Sequence, residues 1–117
     1  MYELSTEKRV VSVKFGKRFS VRDVEGYVTA LIADPSFAPE FSEIVDLSNV
    51  QELELSSEHA ITLADLVDPF SGHAKRAFVA RSKLQVHAAR LHQILRNDDE
   101  NIRIFPSLAE AQAWLKE

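Results

Sequence analysis

The stretch Glu43-Ile44-Val45-Asp46-Leu47 decides the fold. Its apolar residues do not follow the polar–apolar alternation of a strand with one wet face. A short, nearly continuous apolar run ended by turn formers (here Ser48-Asn49) is the signature of a strand covered on both faces. Arg76-Ala77-Phe78-Val79-Ala80 reads the same way. Two such strands need helices on both sides of a sheet, so the sequence around them is read for helices.

Upstream, Tyr2 to Ser5 and Arg9 to Phe15 read as two short strands joined at Thr6-Glu7-Lys8. Val11, Val13 and Phe15 alternate with Ser12 and Lys14, a period of two, and Gly16 ends the run. Ser20 opens a helix, with Asp23 three residues on as in a capping box. Val21, Val24, Val28, Leu31 and Ile32 form its apolar face. Asp34-Pro35 stops it, because the residue before proline avoids the helical region. A turn-rich connection, Ser36 to Phe41, leads into the central strand.

Downstream, a second helix is expected from Ser56 or Ser57 to about Val67, with Ala60, Ile61, Ala64 and Val67 as its stripe; Asp68-Pro69-Phe70-Ser71-Gly72 ends it. After the strand at 76–80, Ser82 caps a third helix running to about Arg96, with Leu84, Ala88, Leu91 and Leu95 facing inward. Asn97 to Asn101 is an acidic turn, and Ile102 to Phe105 the last strand. Ser107 with Glu110 opens a final helix whose inner face is Leu108, Ala111 and Leu115, with Trp114 beside it. The order β-β-α-β-α-β-α-β-α implies an α/β fold: a mixed, mostly parallel five-stranded sheet with about four helices. Short connections throughout point to one domain over residues 1–117.

Composition narrows the function. The chain has 117 residues, enough to bury a core without metal or disulfide, and no cysteine, which removes thiol catalysis and zinc–thiolate sites. No signal-peptide core or membrane-spanning run is present, and a cytoplasmic location is expected. The net charge of −4 argues against nucleic acid as a partner. The charge is uneven: residues 1–70 hold 6 Lys/Arg against 13 Asp/Glu, a net −7, and residues 71–117 hold 8 against 5, a net +3. Either a basic site lies in the second half or the surface is merely uneven.

The phrase Ile44-Val45-Asp46-Leu47-Ser48-Asn49-Val50 resembles the strand and loop of STAS domains. Joined to Asp34-Pro35-Ser36-Phe37, Arg76-Ala77-Phe78-Val79-Ala80, Ile104-Phe105 and Glu110-Ala111-Gln112-Ala113-Trp114-Leu115, it is similar to the SpoIIAA-like branch, related to STAS and to lipid-binding CRAL-TRIO domains. The resemblance runs from about residue 9 to 116 and specifies fold better than chemistry. It implies a non-enzymatic regulatory or protein-interaction module or, through the CRAL-TRIO kinship, a small-ligand or lipid-binding protein; the expected partner is a regulatory protein or a small apolar or anionic ligand. In STAS antagonists a serine opening the second helix is phosphorylated, in an Asp-Ser-Ser-Gly context. Here Ser56 and Ser57 stand in Leu55-Ser56-Ser57-Glu58, so either could be that site or simply a helix cap.

In parallel sheets ligands meet the carboxyl ends of strands where the strand order reverses. Two such loops carry Asp46, Ser48 and Asn49, and Arg81, Ser82 and Lys83. Brought together, they would set an acid, hydroxyls and two cations around one crevice, with the helix start at Ser82 favouring a phosphate or carboxylate. The alternative is that Ser82 caps and the cations are solvated. An enzyme built on Asp46, Ser48 and Arg81 is a further alternative. Phe37, Phe41 and Phe70 lie in loops and would line an apolar pocket, cover a dimer contact, or anchor the loops. His87 and His92, five apart on one helix, point to different faces and do not make a metal pair, and His87 is expected to be partly buried. No metal, cofactor, phosphate loop or nucleophile elbow is expected; a homodimer is plausible.

Overall fold

The computed structural model describes residues 2–54, 68–96 and 100–117. Its elements are β1 (Tyr2–Ser5), β2 (Val10–Lys14), β3 (Arg18–Ser20), α1 (Val21–Ala33), β4 (Ser42–Asp46), β5 (Glu52–Glu54), β6 (Arg76–Val79), α2 (Lys83–Arg96), β7 (Ile102–Phe105) and α3 (Leu108–Leu115). The helix expected from Ser56 or Ser57 to about Val67 lies outside the described residues, so three helices are described. Five strands form the main sheet in the order β1-β2-β4-β6-β7, with only β1 antiparallel to its neighbour. Arg9 closes the β1–β2 turn with φ 58, in the left-handed region, and its guanidinium lies 5.6 Å from the Phe41 ring centre.

A second, two-stranded sheet, β3 beside β5 in parallel, stands apart from the first. It was not expected. Three residues are too few to display an alternation, and Phe19 and Leu53 are the only apolar residues that mark it.

The strand order increases steadily across the main sheet. Right-handed crossovers that always step the same way must all pass over the same face. Accordingly α1 and α2 share a face, packing Val24, Tyr27, Ala88 and Ala89 against Val13, Phe15, Val45, Phe78 and Ile102. The opposite face is left to α3, which follows the last strand and lays Ala111 and Trp114 over Ile44, Ala77 and Val79. Both central strands are covered on both sides, as their apolar runs require.

Helix orientation departs from expectation in three places. On α1, Tyr27 turns inward while Ile32 is 56% exposed. On α3, Trp114 is the chief buried residue and Leu108 is exposed. On α2 Gln85 and Ala89 are buried, with Ala88 packed inward as expected, and Leu84 lies at the surface.

The amino-terminal ends of β4 and β6 carry a buried charge cluster. Glu43 and Arg76 are register partners, and Arg76 Nε donates to Glu43 Oε1 at 2.9 Å. Arg76 also donates to Asp68 Oδ2 at 2.7 Å and lies over the Phe70 ring. Tyr27 donates its hydroxyl to Glu43 Oε2 at 2.6 Å. Burial by itself would lower the Arg76 pKa, but the two carboxylates outweigh it and raise it. Burial, then the adjacent Glu43 charge, pushes the Tyr27 phenol far above its ordinary value. No helix among the described residues is long and apolar enough to cross a membrane.

Candidate functional site

The loops after β4 and β6 lie side by side, because Asp46 and Val79 are register partners at the ends of neighbouring strands. The residue that joins them is Gln85, buried at the third position of α2. Its Nε2 donates to Ser48 O at 3.2 Å and to Val50 O at 2.9 Å. Its Oε1 accepts from the backbone N–H of Arg81 at 2.8 Å and of Ser82 at 3.2 Å. The Ser82 hydroxyl in turn accepts from Gln85 N–H at 3.1 Å. Ser82 and Gln85 therefore form a reciprocal capping box whose glutamine also ties down the neighbouring loop. Reading by apolar stripes passes over Gln85, although the Ser-x-x-Gln spacing signals it.

The charged side chains on these loops diverge. Asp46 alternates with Val45, so it belongs to the α3 face rather than the α2 face. Its Oδ1 accepts from Ser48 N–H at 2.9 Å, a tight local turn, and its Oδ2 lies 3.9 Å from Lys14 Nζ on β2. Arg81 leans the other way along the sheet and donates Nε to Pro106 O at 3.0 Å, at the end of β7. The steady strand order explains this: among the described residues the main sheet has no reversal point, and so no crevice of the kind that reversal opens. Asn49 and Lys83 are exposed, and Ser48 is half-buried.

Phe37, Phe41 and Phe70 pack edge to face, with ring centres 6.0 Å and 5.2 Å from Phe37. With Val11, Leu31 and Ala74 they anchor the 36–41 and 68–74 loops on the α1 face. Ser56 and Ser57 lie outside the described residues. His87, expected to be partly buried, is exposed; the half-buried histidine is His92, 5.2 Å from the Phe78 ring. Among the described residues no three His, Cys, Asp or Glu side chains come together as a metal site.

Cations do gather one helix turn further on. Arg81, Lys83, Val86, His87 and Arg90 line an open cleft of about 330 Å³. Lys83, His87 and Arg90 are spaced four and three apart, one edge of a helix. No acid stands in the first turn of α2, and among the described residues none of Arg81, Lys83 and Arg90 is in a salt bridge. Arg18 and Arg76, by contrast, each hold two carboxylates. Beside the cations on the outer side of α2 stand Leu84, 36% exposed, and Ile94, 71% exposed, with Leu91 half-buried.

No family model matches the chain, and no curated protein matches it. Among solved structures, an uncharacterised protein of the DUF3478 family from Shewanella loihica PV-4, crystallised with a SpoIIAA-like fold, superimposes with a TM-score of 0.63 at 17% identity. The match covers 98% of this chain and 90% of that one. An ordered, mostly parallel five-stranded sheet with α1 and α2 on one face and α3 on the other is, on this comparison, the SpoIIAA-like fold.

Proposed function

We propose that the protein is a non-enzymatic interaction module and that the outer side of α2 is the surface with which it binds another protein. One observation carries the reading: α2 leaves two large apolar residues, Leu84 and Ile94, on its outer side. A helix that serves only to pack turns its largest apolar residues inward. Here Gln85 and Ala89 are buried, while Leu84 and Ile94 face solvent next to Lys83, His87 and Arg90. Exposed apolar residues rimmed by charge are the usual composition of a protein-binding patch. The strand-end loops support the same reading, since the Gln85, Ser82 and Asp46 side chains and the Ser48 backbone are engaged in holding the loops together.

A photo-activated cross-linker placed at residue 87 tests this in the host cell. It should trap a defined partner that a linker at exposed Arg22 on α1 does not, and Ile94→Lys should abolish the trapping. Equal trapping at both positions, or none at 87, refutes the interface. Turnover of a metabolite abolished by a single substitution in the 46–49 or 81–83 loops refutes the non-enzymatic reading.

A further inference from the structure

We infer that the partner segment is an acidic amphipathic helix lying along α2, with apolar residues against Leu84, Leu91 and Ile94 and carboxylates against Lys83, His87 and Arg90. This rests on the interface reading above and adds the chemistry of the occupant. Lys83, His87 and Arg90 form one row of the helix with Ile94 at its end, and Leu84 and Leu91 form the row beside it. Lys83, His87 and Arg90 span about 10 Å of axis at 1.5 Å per residue, and Leu84, Leu91 and Ile94 about 15 Å. A partner with one polar and one apolar edge matches both sets only if it too is elongated and two-sided, which is the helix-in-groove mode of recognition.

Charge decides the sign of the partner. Arg81, Lys83 and Arg90 lack an acidic partner among the described residues, and Arg81 and Lys83 crowd the positive end of a helix with no acid in its first turn. Glutamate or aspartate on the partner relieves that repulsion, whereas a basic or neutral helix leaves it in place. Shape decides against a small anion. The cleft is open, and a ligand there stays largely in water, whereas small-molecule sites enclose most of their ligand. Charge density decides against a membrane: three fixed cations on a chain of net −4 fall short of the roughly 4–8 clustered Lys/Arg that hold a protein to anionic lipid.

The test uses the full chain and two synthetic helical peptides with leucines at positions i, i+3, i+7 and i+10, one flanked by glutamates and one by lysines, followed by fluorescence anisotropy. The glutamate peptide should bind about tenfold or more tightly than the lysine peptide, and the difference should shrink as salt is raised. Lys83→Glu with Arg90→Glu should reverse the preference, with unchanged Trp114 emission showing that the fold is intact. Equal binding of the two peptides, or no reversal in the double variant, overturns the inference. So does sedimentation with phosphatidylglycerol vesicles without discrimination between the peptides, which assigns the face to a membrane. Failure of both peptides while the residue-87 linker still traps a partner removes the acidic helix and leaves the interface; failure of the linker removes both.

Discussion

Replacing Gln85 by leucine keeps the side-chain size and deletes the amide that joins the two strand-end loops. Four backbone groups lose a partner: Val50 O, Ser48 O, and the N–H groups of Arg81 and Ser82. They are not equivalent. The bond to Val50 O is buried, and a buried acceptor left unmade costs about 1–3 kcal/mol. The two N–H groups belong to exposed residues that water can reach, so their loss is that of a helix cap, about 1 kcal/mol. Ser48 O, half-buried, adds less. The sum is about 3 kcal/mol, and with a slope of about 1.5 kcal/mol per molar the urea midpoint should fall by about 2 M. Trp114, the only tryptophan and a buried one, reports the transition by its emission.

Gln85→Glu sharpens the test. It retains the acceptor for Arg81 and Ser82 but turns carboxylate lone pairs toward two carbonyls. That environment raises the new carboxyl's pKa in the folded state. Its penalty is therefore absent below the unfolded value, about 4.3, and grows as pH rises above it. Gln85→Glu should thus be clearly destabilised at pH 7 and recover toward pH 4, relative to the wild type at the same pH. A leucine variant whose midpoint moves by less than about 0.5 M, or a glutamate variant indifferent to pH, would show that water replaces the amide and that the clip does not hold the loops.

Arg76→Met leaves Glu43 charged and buried, and should cost about 3–5 kcal/mol by urea unfolding, whereas Glu43→Gln combined with Arg76→Met should restore part of the loss. Because the folded pKa of Tyr27 is raised, its contribution is complete below the unfolded value near 10 and is lost as pH climbs above it; alkaline absorbance titration should show this phenol ionising only as the protein unfolds. The Tyr2 hydroxyl, 2.7 Å from Asp34 Oδ2, is the first cause of the lowered Asp34 pKa, with the Ser36 N–H second, so Tyr2→Phe should let that carboxyl titrate at higher pH in a carbon-detected NMR titration. Ile94→Lys, at a position 71% exposed, should change stability by less than about 0.5 kcal/mol, which separates its effect on binding from one on folding.

The central strands were legible because burial on both faces leaves an apolar run that no surface element shares. The small β3–β5 sheet was not, since three residues carry no period. Strand order was the decisive gap. A series of alternating strands and helices is equally consistent with a sheet that reverses and one that advances steadily, and only the first opens a crevice between the Asp46 and Arg81 loops. The face of α2 was read in part: Ala88 packs inward, but counting leucines assumes that apolar bulk points inward, whereas Leu84 lies at the surface and the loop carbonyls at Ser48 and Val50 take the Gln85 amide. Glu43 and Arg76 did leave a signal: each is a charge opening a mostly apolar run, with opposite signs at what proves to be one register position. Nothing local in the sequence says that those two runs are neighbours.

The steady strand order also has a consequence during synthesis. As the chain emerges from its amino terminus, each main-sheet strand finds its partner already made: β2 pairs with β1, β4 with β2, β6 with β4 and β7 with β6. No main-sheet strand has to wait for a later one to be inserted beside it, and growth proceeds from a single advancing edge. The exception is the second face. Among the described residues, Ile44, Ala77 and Val79 take their helical cover from α3, with Ala111 and Trp114, which follows all five strands of the main sheet. A nascent chain stalled before residue 108 therefore displays an apolar stripe across its two central strands, the feature by which a chaperone or a protease would tell a chain without α3 from one that has it.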